Sequence, residues 1–283
     1  MKARQYINMM GMATAVLLSS CVKDTLYDTP HPDKGVVTIS LTGLSADDNY
    51  VLDMDGKVAD ITGSPFTNPD LLNPGTHSMV IYNRAEGFTF DGRMARVNAP
   101  DGKSRADGAS VIPLPGYLKT ISQEITVTAD DTLRVNPVPQ QRVRDLQLEL
   151  EVTQGRPELI QSVTATLSGI AGIFDMEKGQ TIGEPTSTVF SFIRDGSKLT
   201  ADARLLGTMG AVQTLVLDIV FTDGGRTQRT EVDLTEALAD FNSDMTTAYR
   251  VTGTLEPPVG MEEGKGEITG WETVESGDAS AEM

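Results

Sequence analysis

The sequence is poor in the residues that most often carry chemistry, with one cysteine and two histidines among 283 residues. A lone thiol excludes an internal disulfide framework and a cysteine-based zinc finger, and two imidazoles cannot build a three-histidine metal centre. Basic residues are few beside acidic ones, 23 against 40, for a formal net charge of -17. A nucleic-acid binder, which neutralises phosphates with a basic face, is thereby set aside. Aromatics are 5% of the chain and tryptophan occurs once, which leaves little to stack against sugar rings. Hydrophobic residues at 39% and charged residues at 22% nevertheless fit a packed core, and the length allows one large domain or two ordinary ones.

The search for catalytic patterns returns little. His31 lies in a Pro- and Asp-rich stretch and His77 begins a strand-like run, and neither accompanies a Gly-x-Ser-x-Gly elbow. Gly264-Lys265-Gly266 sits in an acidic tail, away from any strand-to-helix junction, so it is no dinucleotide fingerprint. Asp53-Met54-Asp55-Gly56 opens like a calcium loop, but Lys57 and Ala59 fall where oxygen ligands belong, so it reads as a hairpin turn. Carboxylates are numerous enough for an acid/base pair, yet nothing in their spacing defines one. The expectation is no enzyme, no cofactor and no metal.

The first twenty residues read as an address. Lys2 and Arg4 precede a largely apolar run from Ile7 to Leu18. As a helix it spans about 18 Å, short of the roughly 30 Å hydrocarbon layer, so 1–20 is expected to be a signal peptide. Leu18-Ser19-Ser20-Cys21 resembles a bacterial lipobox, with cleavage between Ser20 and Cys21 and lipid on the Cys21 sulfur. The removed segment holds two basic and no acidic residues, so the mature chain is more acidic still. Its attachment to a membrane must then come from acyl chains, at about 0.8 kcal/mol per buried methylene. Lys23-Asp24 resembles the short charged signal that sends lipoproteins of Bacteroidetes-type bacteria to the outer face, or is simply part of a solvated tether over 21–35.

Beyond the tether the chain reads as strands in two blocks. Residues 36–41, 76–82, 88–97, 121–127 and 132–135 have strand character, with 121–135 forming a hairpin around Asp130-Asp131. Six Asp-Gly pairs, at Asp55, Asp91, Asp101, Asp107, Asp195 and Asp223, argue for many tight turns. Asn136-Pro137-Val138-Pro139 cannot occupy a central strand, so it divides an N-terminal domain, 36–139, from a C-terminal domain, 140–256. In the second block Leu146, Leu148, Leu150 and Val152 alternate with Asp145, Gln147, Glu149 and Glu151, as a sheet with one wet face requires. Residues 163–167, 189–193, 215–221 and 247–255 follow. Asp233-Leu234-Thr235-Glu236 carries a capping box for one short helix. The acidic tail, 257–283, contains a terminal strand at 268–274, with Trp271 stapling it to the sheet or, on the other reading, stacking on a sugar. The fold class expected is all-β: two tandem β-sandwich domains with one short helix in the second.

Several segments in order carry a family resemblance. They are Cys21-Val22-Lys23-Asp24-Thr25-Leu26-Tyr27-Asp28-Thr29-Pro30-His31-Pro32, Pro74-Gly75-Thr76 before Val80-Ile81-Tyr82-Asn83, Ala165-Thr166-Leu167-Ser168-Gly169, Phe190-Ser191-Phe192, and Thr222-Asp223-Gly224 before Val232-Asp233-Leu234-Thr235. Together they resemble the FimB-like lipoprotein anchor and accessory subunits of Bacteroidales (type V) fimbriae. The resemblance implies transthyretin-like sandwiches, an outer-membrane lipid anchor and fimbrial subunits as partners, joined by strand complementation. Stalk-forming relatives are matured by cleavage after an arginine near the start of the first domain. No arginine lies between Cys21 and Arg84, so removing 36–41 alone by that route is not open to this chain. A surface glycan-binding lipoprotein is the alternative function, and a carboxylate hydrolase a more distant one.

Overall fold

A computed structural model describes residues 33–42, 49–100, 110–222, 225–256 and 267–274. Twenty strands make up almost all of its regular structure, as the alternating pattern requires. The first half contains β1 (Val36–Ile39), β2 (Tyr50–Met54), β3 (Lys57–Asp60), β4 (Phe66–Thr67), β5 (Gly75–Asn83), β6 (Phe88–Asp91), β7 (Met94–Val97), β8 (Lys119–Val127), β9 (Thr132–Val135) and β10 (Gln140–Gln141). The second contains β11 (Arg144–Val152), β12 (Ile160–Ile170), β13 (Ile173–Asp175), β14 (Gln180–Ile182), β15 (Thr186–Asp195), β16 (Lys198–Leu205), β17 (Thr214–Phe221), β18 (Thr227–Asp233), β19 (Tyr249–Glu256) and β20 (Glu267–Val274).

In the first half a three-stranded sheet, β4-β1-β9, and a five-stranded sheet, β10-β8-β5-β2-β3, enclose one apolar cluster. Val37 and Ile39 meet Leu52, Met54, Met79, Ile81, Ile125 and Val127 there. Period two puts the intervening residues on the opposite face of the larger sheet. Val51, Val80 and Tyr82 on that face are also buried, but in a different cluster. All five residues of β2 are buried, so this sheet is covered on both sides.

The second half is an eight-stranded sheet, β18-β17-β12-β15-β16-β11-β19-β20, that doubles over on itself. The fold line is the β15–β16 hairpin, which pairs only at its tip, from Ile193–Thr200 to Asp195–Lys198. The inward residues of the two arms form one cluster that includes Leu146, Leu148, Leu150, Leu167, Leu217 and Val251. At about 25 cal/mol per Å² of apolar surface removed from water, this layer is the main source of stability.

The halves are joined by a sheet that belongs to neither. The β6–β7 hairpin pairs with the β13–β14 hairpin in the order β14-β13-β7-β6, with Ile173 opposite Arg96 and Asp175 opposite Met94. Phe88, Ala95 and Val97 of the first hairpin thereby enter the core of the second half. A second crossing is made by 110–117, where Val111 donates its amide to the Ser187 carbonyl and Arg204 donates to the Pro113 carbonyl.

Two local expectations are corrected. Residues 121–135 do not form a hairpin, because β8 pairs with β5 and β9 runs parallel to β1 in the opposing sheet. The intervening residues send the chain across: Asp130 has φ 55, and the Asp131 carbonyl takes the Val36 amide. The capping box at 233–236 starts a run of turns, not a helix. Its backbone bonds are Leu238 to Leu234, then three-residue closures at Ala239, Phe241 and Ser243. The Ala237 carbonyl, which a helix would give to the Phe241 amide, accepts the Tyr249 hydroxyl at 2.8 Å instead, and the buried Arg144 closes the end of the run by donating to the carbonyls of Asp240, Phe241 and Thr247 against the Phe241 and Tyr249 rings. The only helical residues of the second half, among those described, are the 3₁₀ turn Pro157–Leu159.

Turns fall where Asp-Gly pairs foretell them. Asp55-Gly56 closes β2–β3 with φ of 51 and 84, and Gly92 and Gly196 open two further hairpin turns with positive φ; the other three pairs fall wholly or partly outside the described residues. Gly169 is more demanding, with φ 75 in a β-bulge where an added Cβ would collide with the Val212 carbonyl oxygen. Gly169→Ala is expected to lower the unfolding free energy by about 3 kcal/mol, combining a left-handed backbone with a rigid clash. Gly196→Ala, with open space around the added carbon, should cost about 1 kcal/mol. Urea midpoints of the two variants check the difference.

Candidate functional site

Ser20 and Cys21, the residues expected to carry signal cleavage and lipid, lie outside the described residues, as does His31. The side chain of Trp271 is likewise outside them. Among the described residues no group of three His, Cys, Asp or Glu side chains is placed to hold a metal.

His77 is the one described histidine, and its surroundings decide what it can do. Its Nδ1 lies 2.6 Å from Asp55 Oδ2, and its Nε2 lies 2.8 Å from the Asn73 carbonyl oxygen. Asp55 Oδ1 also accepts the Ser78 amide at 2.8 Å. A serine, a histidine and an aspartate are thus adjacent, but not as a hydrolytic relay. The nitrogen that would face a nucleophile is bonded to a backbone carbonyl, and Ser78 Oγ is taken up by an arginine.

That arginine is Arg93, at the tip of the β6–β7 hairpin. Its Nη2 donates to Asp53 Oδ1 at 2.8 Å, and its Nη1 to Glu177 Oε1 at 2.7 Å and Ser78 Oγ at 2.5 Å. Arg93 and Asp53 are both shut away from water, with side chains 13% and 4% exposed, whereas Glu177 is 55% exposed. The hydrogen bond that the guanidinium donates to Asp53 is the main cause that holds it above its ordinary pKa. Asp53 comes from β2 and Glu177 from the β13–β14 turn, so one side chain fastens both halves. Beneath it Asp175, also buried, accepts the amides of Glu177 and Lys178. Burial pushes the Asp175 carboxyl up, but these amides and the Lys178 ammonium bring it below the usual carboxylate range.

The sequence reading missed this junction. Arg93 follows Asp91-Gly92 and registers only as a turn residue, while Asp53 was grouped with a calcium-like motif. One signal was present: an acid interrupts the apolar run Val51-Leu52-Asp53-Met54, and a carboxylate in a buried strand requires a partner. A second cross-half contact lies nearby, where Tyr117 donates to Asp145 at 2.7 Å and stacks beneath Arg204, which also donates to Asp145.

The strand edges are the other feature with functional content. β20 pairs antiparallel with β19 alone, from Arg250–Val274 to Glu256–Glu267 with one register shift, and its Thr273 hydroxyl also donates to the Ala237 carbonyl at 3.3 Å. β1, by contrast, lies inside its sheet between β4 and β9, with Val37 and Ile39 fully buried. The large hydrophobic residues exposed among those described are all aliphatic: Val58, Leu114, Val138, Val189, Ile193 and Val212. No aromatic platform for a sugar ring is present among them.

The architecture is therefore an all-β, layered fold whose two halves share a sheet. No protein-family model matches the chain, and no curated protein matches it in sequence. Solved structures do match in fold. A protein of Bacteroides ovatus described as an adhesin candidate superposes with a TM-score of 0.59 at 18% identity, covering 77% of this chain and 87% of that one. The fimbrial anchor protein Mfa2 of Porphyromonas gingivalis gives 0.57 at 11% identity, covering 85% of this chain and 97% of the anchor. A further adhesin candidate of Bacteroides ovatus gives 0.55 at 10% identity over 86% and 95%. The resemblance seen in the sequence thus has a counterpart in fold, among proteins of the same bacterial group.

The junction yields a stability prediction. Arg93→Ala leaves Asp53 buried without its cation and is expected to cost about 3–5 kcal/mol. Replacing Asp53 and Arg93 together by apolar residues should cost much less than the sum of the single changes. A double-mutant cycle in urea measures the coupling.

Proposed function

We propose that this chain is an outer-membrane lipoprotein of the FimB-like group, a fimbrial anchor or accessory subunit that joins other fimbrial subunits by β-strand complementation. Its two halves serve as transthyretin-like sandwiches, 36–139 and 140–256, held to the membrane by acyl chains on Cys21 and lying at the cell surface. Its work is attachment, without enzymatic turnover. The observation that carries the reading is the shared fold with the anchor Mfa2, which extends over 97% of that protein, taken together with the lipobox at Leu18–Cys21.

Edge chemistry says how such a subunit would join its neighbour. A strand edge has unpaired amides and carbonyls that an incoming strand can satisfy. β1 fills its own place between β4 and β9, and no arginine between Cys21 and Arg84 allows that strand alone to be cut away. The first half then has no vacancy for a neighbour's strand at this position. The C-terminal segment, whose strand pairs in the sheet with β19 alone, is the part able to leave and be donated. A subunit of this kind gives a strand at its tail and keeps its own first strand in place, which suits the membrane end of a fibre.

Two measurements test the parts separately. Cys21→Ser should shift the protein from the membrane fraction to the soluble fraction, and fimbriae should be shed into the medium. Membrane retention of a processed Cys21→Ser chain would overturn the lipid anchor. A chain ending at Glu256 should stay folded and membrane-bound but fail to retain fimbrial subunits in co-purification. Undiminished retention by that truncated chain would overturn strand donation from the tail.

A further inference from the structure

The hydrogen-bond partners of His77 fix its charge. Both ring nitrogens are within bonding distance of an oxygen, Asp55 Oδ2 at 2.6 Å and the Asn73 carbonyl at 2.8 Å. A backbone carbonyl can only accept, and so can an ionised carboxylate. A neutral imidazole has one N–H and can serve one of them; only the imidazolium serves both. The two acceptors come from different places, since Asp55 is in the β2–β3 turn and Asn73 in the segment before β5. Asp55 also takes the Ser78 amide at 2.8 Å and gives its own amide to the Ser78 carbonyl at 3.0 Å. The β2–β3 turn is thereby tied to the base of β5 through one titratable ring.

We propose that His77 is an imidazolium latch that helps fasten the β2–β3 edge hairpin to the base of β5 and loosens it when the ring loses its proton, since a neutral ring can keep only one of its two bonds. β3 is an edge strand paired only with β2, so the latch governs how firmly that edge of the sheet is closed.

The charges around the latch act in one direction. Asp55 is the chief cause raising the His77 pKa above its ordinary value, with the Asn73 carbonyl adding to it against the cost of burial. Burial raises the Asp55 carboxyl, but His77, the Ser78 amide and the more distant Arg93 outweigh it and keep the group ionised. Across β2, Asp53 is already engaged by Arg93, whose other branch holds Glu177. Beside the hairpin, Lys57 pairs with Asp70 at 3.0 Å, both solvent-exposed. On β8, Glu124 stands opposite Ser78, one residue from His77. Because the folded pKa is raised, the latch contributes its full stability below about pH 6.5 and loses it as pH rises through the folded pKa.

Imidazole ¹⁵N chemical shifts of the full chain, with His31→Gln used for assignment, test the charge. The expected result is two protonated ring nitrogens at pH 6.5 and a midpoint above the free value. A midpoint at or below about 6.5, or a single protonated nitrogen at that pH, overturns the proposal. Hydrogen exchange tests the release: protection of the Asp55 and Gly56 amides should fall as the ring titrates, about tenfold for each unit by which its pKa stands above the free value. His77→Gln, which keeps a donor and cannot titrate, should show flat protection over the same range. Equal pH dependence in the wild type and His77→Gln overturns the latch. Should His77→Gln fail to fold, Asp55→Asn gives a second comparison, with the His77 midpoint expected to drop; an unchanged midpoint also overturns it.

Discussion

A guanidinium enclosed by protein must find its counter-charges on the spot, and Arg93 finds them on strands far apart in the chain. Asp53, from β2, is almost wholly buried, and neither it nor Arg93 can be hydrated if the other is removed. This constraint fixes the tip of the β6–β7 hairpin over the five-stranded sheet. The hairpin then covers the second face of that sheet with Phe88 and Ala95, and offers its β7 edge to β13. Apolar burial supplies the energy of this arrangement, but it is not directional. The ion pairs with Asp53 and Glu177 supply the register, holding the two halves in one relation.

How much of this the sequence disclosed depends on the range of the interaction. Period-two alternation is local, so β1, β5, β11, β12, β15, β17 and β19 were legible, and so were the tight turns at Asp55-Gly56, Asp91-Gly92 and Asp195-Gly196. The chain does not announce which strand pairs with which. Residues 121–135 have the composition of a hairpin and still divide between two sheets, because the Asp131 carbonyl is claimed by Val36 from nearly a hundred residues earlier. The turns after Asp233 fail to become a helix for a similar reason: Tyr249, from β19, takes the Ala237 carbonyl that a helix would give to Phe241. The shared sheet was invisible because Asn136–Pro139 marks a break in strand pattern, not a break in packing. Of the junction, only the isolated Asp53 within an apolar run was visible, and its partner could not be deduced from spacing.

The edges of the fold show an asymmetry that bears on attachment. Most edge strands are short, and β3 carries charges that pair away from the open side, Lys57 with Asp70 and Asp60 with Arg84. Such devices discourage indiscriminate pairing with other chains. β20 is different. It is eight residues long and pairs with β19 alone.

A strand held by a single neighbour differs energetically from one held on both sides. β1 is bonded on two edges and buries Val37 and Ile39 completely, so withdrawing it would expose two ladders and part of a core. Withdrawing β20 exposes one ladder, that of β19, whose other edge stays paired with β11 in parallel register. Exchange of a terminal strand between subunits is close to neutral when the hydrogen bonds lost in one sheet are regained in another, and the balance is then set by side-chain fit. Among the described strands, resistance to withdrawal is therefore greater at β1 than at β20.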